Sequence, residues 1–158
     1  MDQRTRAATY EDVRRVAELL EAEHVEYALI GGYALALQGI VRLTEDVDIL
    51  VAPTPENARR WVRALSQLPD GAAKELDGDQ TLHAEPCAIR INDEFTVDVM
   101  NSASGLAWQD LLPYRTRIEG IHVVSLAGLL RMKEHGRLKD QADAEAIRQA
   151  LASAQPAT

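Results

Sequence analysis

Two acidic patterns sit where strands should be apolar. Asp46-Val47-Asp48 opens the run "DVDILV", and Asp98 stands alone in "TVDVM". Upstream, "YALI" breaks into Gly31-Gly32, with thirteen residues separating the glycine pair from Asp46. In a strand, residues two apart point the same way, so Asp46 and Asp48 share a face while Val47 and Ile49 turn toward the core. Their carboxylates stand about 7 Å apart along the strand and repel unless a cation lies between them. A hard divalent ion such as Mg2+, with Mn2+ as its substitute, takes oxygen ligands and leaves room for phosphates. If the Asp98 strand pairs beside the first, Asp98 joins the same face and completes a three-carboxylate site. Such sites hold one or two ions, orient a triphosphate and stabilise both oxygens of an in-line displacement. The competing reading places the three aspartates on the solvent side of a half-exposed sheet. Aspartate is disfavoured in strands, and three of them call for some compensation.

The glycine pair supplies a second chemistry. Where a strand turns sharply into a helix, glycines let backbone N–H groups approach a phosphate, and the helix start favours negative charge. A tight turn with no ligand explains the pair equally well. Arg42 and Thr44 precede the aspartates in "VRLTEDVD", and the arginine fork suits a phosphate. Lys133, Arg137, Lys139, Asp140 and Asp143 form a mixed-charge cluster around a helix break at Gly136, with Lys133 and Arg137 on one helix face. Gly31, Gly32, Arg42, Thr44, Lys133, Arg137, Lys139 and Asp140 are therefore the candidate nucleotide-binding set. For each charged member the plain alternative is a solvated surface pair. His24, His83, His122 and His135 show no metal-ligand spacing, and Trp61 reads as core. Arg59, Arg60 and Arg63 make a basic helix face that reads as solvated.

These residues need a scaffold of alternating elements. "TYEDVRRVAELLEAEHV" predicts a helix with Thr9 as N-cap and Asp12 three residues on. "EYALI" is a short buried strand, and "YALALQG" a short helix closed by Gly39. "DVDILVA" is a strand stopped by Pro53. "TPENARRWVRALSQL" carries a cap at Thr54, Pro55 at the first helical position and an apolar face through Trp61, Val62, Leu65 and Leu68. Residues 69–85 read as a loop. "CAIRINDEFTVDVM" is a hairpin turning at Asn92-Asp93, and "RTRIEGIHVVS" another turning at Glu119-Gly120. Two helices, "LAGLLRMKEHG" and "DQADAEAIRQALAS", close the chain. The order predicts an α+β (mixed α/β) domain with a small central mixed sheet flanked by helices and a C-terminal helix pair. We expect one domain over 1–158, with 1–8 and 154–158 frayed.

Composition agrees with that scale. The 158 residues are 46% hydrophobic and 27% charged, ordinary for a globular domain and far from disorder. No run reaches the roughly 18 apolar residues of a membrane span, and from the charged N-terminal residues we expect no secretory signal. One cysteine, Cys87, excludes an internal disulfide, so we expect a cytoplasmic location and no membrane partner. A net charge of −8 weighs against a general nucleic-acid coating protein.

Taken together, "GGYALALQGIVRLTEDVDILV" resembles the signature of the nucleotidyltransferase superfamily. The likeness is to its small bacterial branch, similar to minimal nucleotidyltransferases and AbiEii-like toxins. The family pattern is a hydrophobic residue, a glycine, a glycine or serine, a short spacer and an Asp-x-Asp/Glu in a strand. Ile30, Gly31, Gly32, Asp46 and Asp48 match it, Asp98 fits its third acidic position, and "LAGLLRMKEHGRLKDQADAEAI" resembles its closing helix pair. The resemblance covers residues 26–150. It implies that Gly31 and Gly32 cradle a triphosphate, that Asp46 and Asp48 bind Mg2+, and that Asp98 helps activate an acceptor hydroxyl. The implied reaction transfers a nucleoside monophosphate from an NTP and releases pyrophosphate. The acceptor is a tRNA, a protein or a small molecule, and an antitoxin is an implied partner. The alternatives are a non-catalytic nucleotide- or partner-binding domain and a D-x-D glycosyltransferase, which has no use for the glycine pair.

Overall fold

The structure is a computed structural model describing residues 5–134 and 138–154, with backbone alone for 138–140. Helix α1 (Tyr10–Ala22) begins at a reciprocal cap: the Asp12 N–H donates to Thr9 Oγ1, and the Thr9 N–H donates to the Asp12 carboxylate. Two donors that the first turn would leave orphaned are thereby satisfied. Val13, Val16, Ala17 and Leu20 then recur on one side and are buried, which is the 3.6-residue stripe of a helix lying on a core. Strand β1 (Tyr27–Ile30) is buried along its length and runs directly into α2 (Gly31–Leu37). Strand β2 (Asp46–Val51) follows. Helix α3 (Pro55–Leu65) is capped by Thr54, with Trp61 only 1% exposed.

The segment read as a loop over 69–85 contains one 3-10 turn, Ala72–Leu76. Strands β3 (Ala88–Asn92) and β4 (Thr96–Met100) form the first expected hairpin, but Asn92 pairs with Thr96 and the turn runs over residues 93–95 rather than at Asn92-Asp93. Between the two expected hairpins lie elements the sequence does not announce. They are a minimal hairpin, β5 (Ser102–Ala103) with β6 (Leu106–Ala107), and a single turn, α4 (Trp108–Leu111). Two-residue strands and one-turn helices are too short to express a hydrophobic period. Strands β7 (Arg115–Ile118) and β8 (Ile121–Val124) pair around Glu119-Gly120, whose φ values of 51° and 79° are the paired positive angles of a type I′ turn. Helices α5 (Leu126–Glu134) and α6 (Leu138–Ala154) pack on each other at the C-terminal side.

Six strands make one sheet in the order β3-β4-β2-β1-β8-β7. β2–β4 and β1–β8 are parallel and the remaining neighbours antiparallel, so the expected mixed sheet is present. The stripe of α1 closes on Tyr27, Leu29, Val47, Ile49 and Ile121, a common face of the central strands. Because side chains alternate, that contact commits Asp46 and Asp48 to the other face. Among the described residues no helix is long and apolar enough to cross a membrane.

The lead-in differs from expectation. Residues 5–8, read as loose, are tied down: the Arg6 N–H donates to Glu94 O and the Ala8 N–H to Glu45 O. Arg6 spans Asp12 and Glu94, at 2.9 Å from each. Tyr33 donates its hydroxyl to the Ala8 carbonyl. This strap braces the start of β2 against the β3–β4 turn. It is invisible in sequence because, Arg6–Asp12 apart, its bonds reach remote parts of the chain. Residues 1–4 and 155–158 lie outside the described residues.

Candidate active site

Strand register builds the site. Ile30 of β1 faces Asp48 of β2, Asp48 faces Asp98 of β4, and Asp98 faces Arg90 of β3. One row therefore crosses four neighbouring strands, running from the glycine turn through two carboxylates to a guanidinium on the edge strand. Asp46, one pleat up β2, faces Thr96 and shares the Asp48 side, while Val47 and Ile49 are 0% and 1% exposed on the other. The predicted convergence of Asp46, Asp48 and Asp98 on one face is what the register produces.

The glycine pair is shaped around these neighbours. Gly31 has φ +75°, and a Cβ there would lie 2.2 Å from Asp48 Oδ2. Only glycine both adopts that angle readily and leaves room for the carboxylate. A Cβ on Gly32 would lie 2.6 Å from the Cβ of Thr44. Thr44 in turn donates its hydroxyl to the Asp46 carbonyl at 3.3 Å. Thr44 thus fastens the start of β2 onto the start of α2, a use for the residue that needs no ligand.

Charge is unbalanced at the centre. Asp48 is pushed up to about 7, first by burial, then by the Asp98 charge, a hydrogen bond shared with Asp98, and Asp46. Arg90 opposes this without cancelling it. Its Nε lies 2.9 Å from Asp98 Oδ1, and its Nη2 lies 3.2 Å from Asp98 Oδ2 and 3.5 Å from Asp46 Oδ2. The arginine is 61% exposed, so it roofs the cluster from the solvent side. Arg90 is not among the candidate residues of the sequence, because its place opposite Asp98 depends on the hairpin register. A turn at Asn92-Asp93 would set Arg90 opposite Phe95; the observed closure of Asn92 onto Thr96 sets it opposite Asp98 instead.

The second set of predicted residues meets at a buried acid. Asp143 of α6 is 4% exposed, and it forms ion pairs with Arg42 Nη2 at 2.8 Å and Lys133 Nζ of α5 at 3.3 Å, its Oδ1 lacking a hydrogen bond among the described residues. Arg42 and Lys133 therefore come together, joining the segment before β2 to the C-terminal helices. Arg137 lies outside the described residues, as do the side chains of Lys139 and Asp140. The basic face of α3 is engaged in ordinary surface pairs, Arg60 with Glu56 and Arg63 with Glu23. A cavity of about 440 Å³ between α3 and residues 76–83 shares no residue with the acidic row.

The donor set suits a hard divalent cation in chemistry: three carboxylates on one face, with Asp48 pushed up first by burial and then by the Asp98 charge. It is not closed around a point. Among the described residues no three acidic, histidine or thiol groups converge as a metal cage, and Arg90 provides the cationic contact to Asp46 and Asp98.

Neither a family model nor a curated protein sequence matches the chain. In structure it is similar to a Thermotoga maritima protein provisionally assigned as a nucleotidyltransferase. The TM-score is 0.53, over 90% of this chain and 92% of that one, at 19% identity. At that identity the likeness speaks for the fold, which is nucleotidyltransferase-like.

Proposed function

We propose that the protein is a Mg2+-dependent nucleotidyltransferase that moves a nucleoside monophosphate from an NTP to a hydroxyl acceptor. The observation carrying this reading is the register that sets Asp48 opposite Asp98 with the Gly31 backbone against the Asp48 carboxylate. A mere tight turn does not require a half-buried carboxylate packed on it with a second carboxylate opposite.

Asp46 and Asp48 are the residues that would hold the cation, with Asp98 beside them. Bound there, it supplies Lewis-acid stabilisation of the phosphate oxygens. The chain's own residues account for the rest. Gly31 and Gly32 let Asp48 and Thr44 pack against the start of α2, and their backbone N–H groups would be the donors to a triphosphate there. Arg42 and Lys133 are held by Asp143 as a cationic flank for the phosphates. Asp98 accepts the proton of the acceptor hydroxyl as its oxygen bonds to the α-phosphorus. The bond from that phosphorus to the bridging oxygen of the β-phosphate breaks, and pyrophosphate leaves with the electron pair. A tRNA, protein or small-molecule acceptor fits this scheme. A toxin role opposed by an antitoxin rests on the family resemblance alone.

One observation favours a second reading, a non-catalytic nucleotide- or partner-binding domain: Arg90 already bridges Asp46 and Asp98. The test is label transfer from each α-labelled NTP, with Mg2+, into RNA, protein or small molecules of a cell extract. Transfer that vanishes in both Asp48→Asn and Asp98→Asn supports catalysis. NTP binding without transfer supports the nucleotide-binding form of the second reading, and neither binding nor transfer rejects catalysis and leaves the partner-binding form.

A further inference from the structure

We infer that Arg90 is an exchangeable counter-ion of this site: it neutralises the carboxylates while no cation is bound, and passes to the substrate phosphates once one is. The inference rests on the proposed cation–nucleotide reading of the same residues.

Three features carry it. Arg90 makes a two-pronged contact with Asp98 and reaches Asp46, so its guanidinium stands against two of the three acids a cation would use. A dication and this guanidinium therefore compete for the same oxygens. Second, Arg90 sits on the edge strand β3 and is 61% exposed, so it can swing outward without disturbing the core. A buried arginine would be a fixed structural pair; an exposed one gives up little on leaving. Third, the row order places Arg90 at the opposite end from Gly31. A triphosphate entering between them would meet glycine backbone at one end and the released fork at the other. Guanidinium groups match phosphate geometry through paired donors, so the arginine gains a new partner as it loses the old.

The two roles predict effects of opposite sign, which a purely structural arginine would not give. Free Mn2+ measured by electron paramagnetic resonance, without nucleotide, should show Arg90→Gln binding Mn2+ about fivefold more tightly than wild type, the scale of one exposed ion pair. With Mn2+ saturating, the same variant should bind a non-hydrolysable NTP analogue about fivefold more weakly. Arg90→Lys keeps the charge and should hold Mn2+ affinity near wild type, which controls for folding. Equal or weaker Mn2+ binding by Arg90→Gln overturns the inference while leaving the nucleotidyltransferase reading intact. Opposite shifts without any nucleotide transfer sustain Arg90's role and reject that reading. Absence of Mn2+ binding in every protein rejects both.

Discussion

Replacing Asp48 by asparagine should make the metal-free protein more stable at alkaline pH while removing its function. Asp48 is held at about 7 in the fold against an ordinary 3.8, chiefly by burial and then by Asp98. The folded state thus keeps a proton that the unfolded chain has lost. Stability falls as pH rises from about 4, and the whole deficit is present above about 7. At 1.36 kcal/mol per pH unit, that interval bounds the deficit near 4 kcal/mol, and sharing of the proton with Asp98 brings it to about 2 kcal/mol. The asparagine side chain carries no charge, and its amide N–H can donate to Asp98 as the shared proton does. We expect Asp48→Asn to gain about 2 kcal/mol at pH 8, or about 4–8 °C in Tm. The gain should shrink toward zero at pH 4.5. Thermal and urea melts in EDTA at pH 4.5, 6 and 8 measure it. Adding Mg2+ should then raise the Tm of the wild type alone, since a ligand stabilises only the fold that binds it. An Asp48→Asn protein no more stable than wild type at pH 8 would refute the claim that this carboxyl is strained by its surroundings.

Three further outcomes follow from the same geometry. Gly32→Ala drives a Cβ to 2.6 Å from Thr44 and should cost about 1–3 kcal/mol by overpacking; Thr44→Gly in the same chain should recover most of that loss in urea melts. Asp143→Asn, which removes the charge facing Arg42 and Lys133, should cost about 2 kcal/mol. Arg42→Ala should cost less, since Lys133 still faces the carboxylate. Asp12 is held down at about 2, first by its bonds to Arg6, so its contribution is present above 3.8 and lost as pH falls toward 2. Arg6→Ala should therefore destabilise the fold at pH 7 and flatten the acid limb of a pH–stability curve, the two proteins converging near pH 2.

Much of the site was legible because its signals are local. Asp46 and Asp48 share a face by the two-residue repeat of any strand, and Thr9, Thr54 and Glu119-Gly120 announce their caps and turn through the bonds and angles of adjacent residues. The glycine pair marked the break between β1 and α2 for the same reason. The short elements over residues 102–111 were not legible, since four residues cannot display a period.

The one-dimensional chain therefore determined the alternation that sends Asp46 and Asp48 away from the core, and the glycines that turn the backbone beside them. It could not determine what lies opposite. Only the tertiary structure decided that Asp98 faces Asp48, that Arg90 closes the row, and that Arg42 and Lys133 share Asp143. Those contacts join residues 44 to 101 positions apart, except for the hairpin pair Arg90–Asp98 and the helix-to-helix pair Lys133–Asp143. The physical reason is that strand register is set by burying the apolar faces of α1, β2 and β4 together, a requirement on the whole core that no single segment carries.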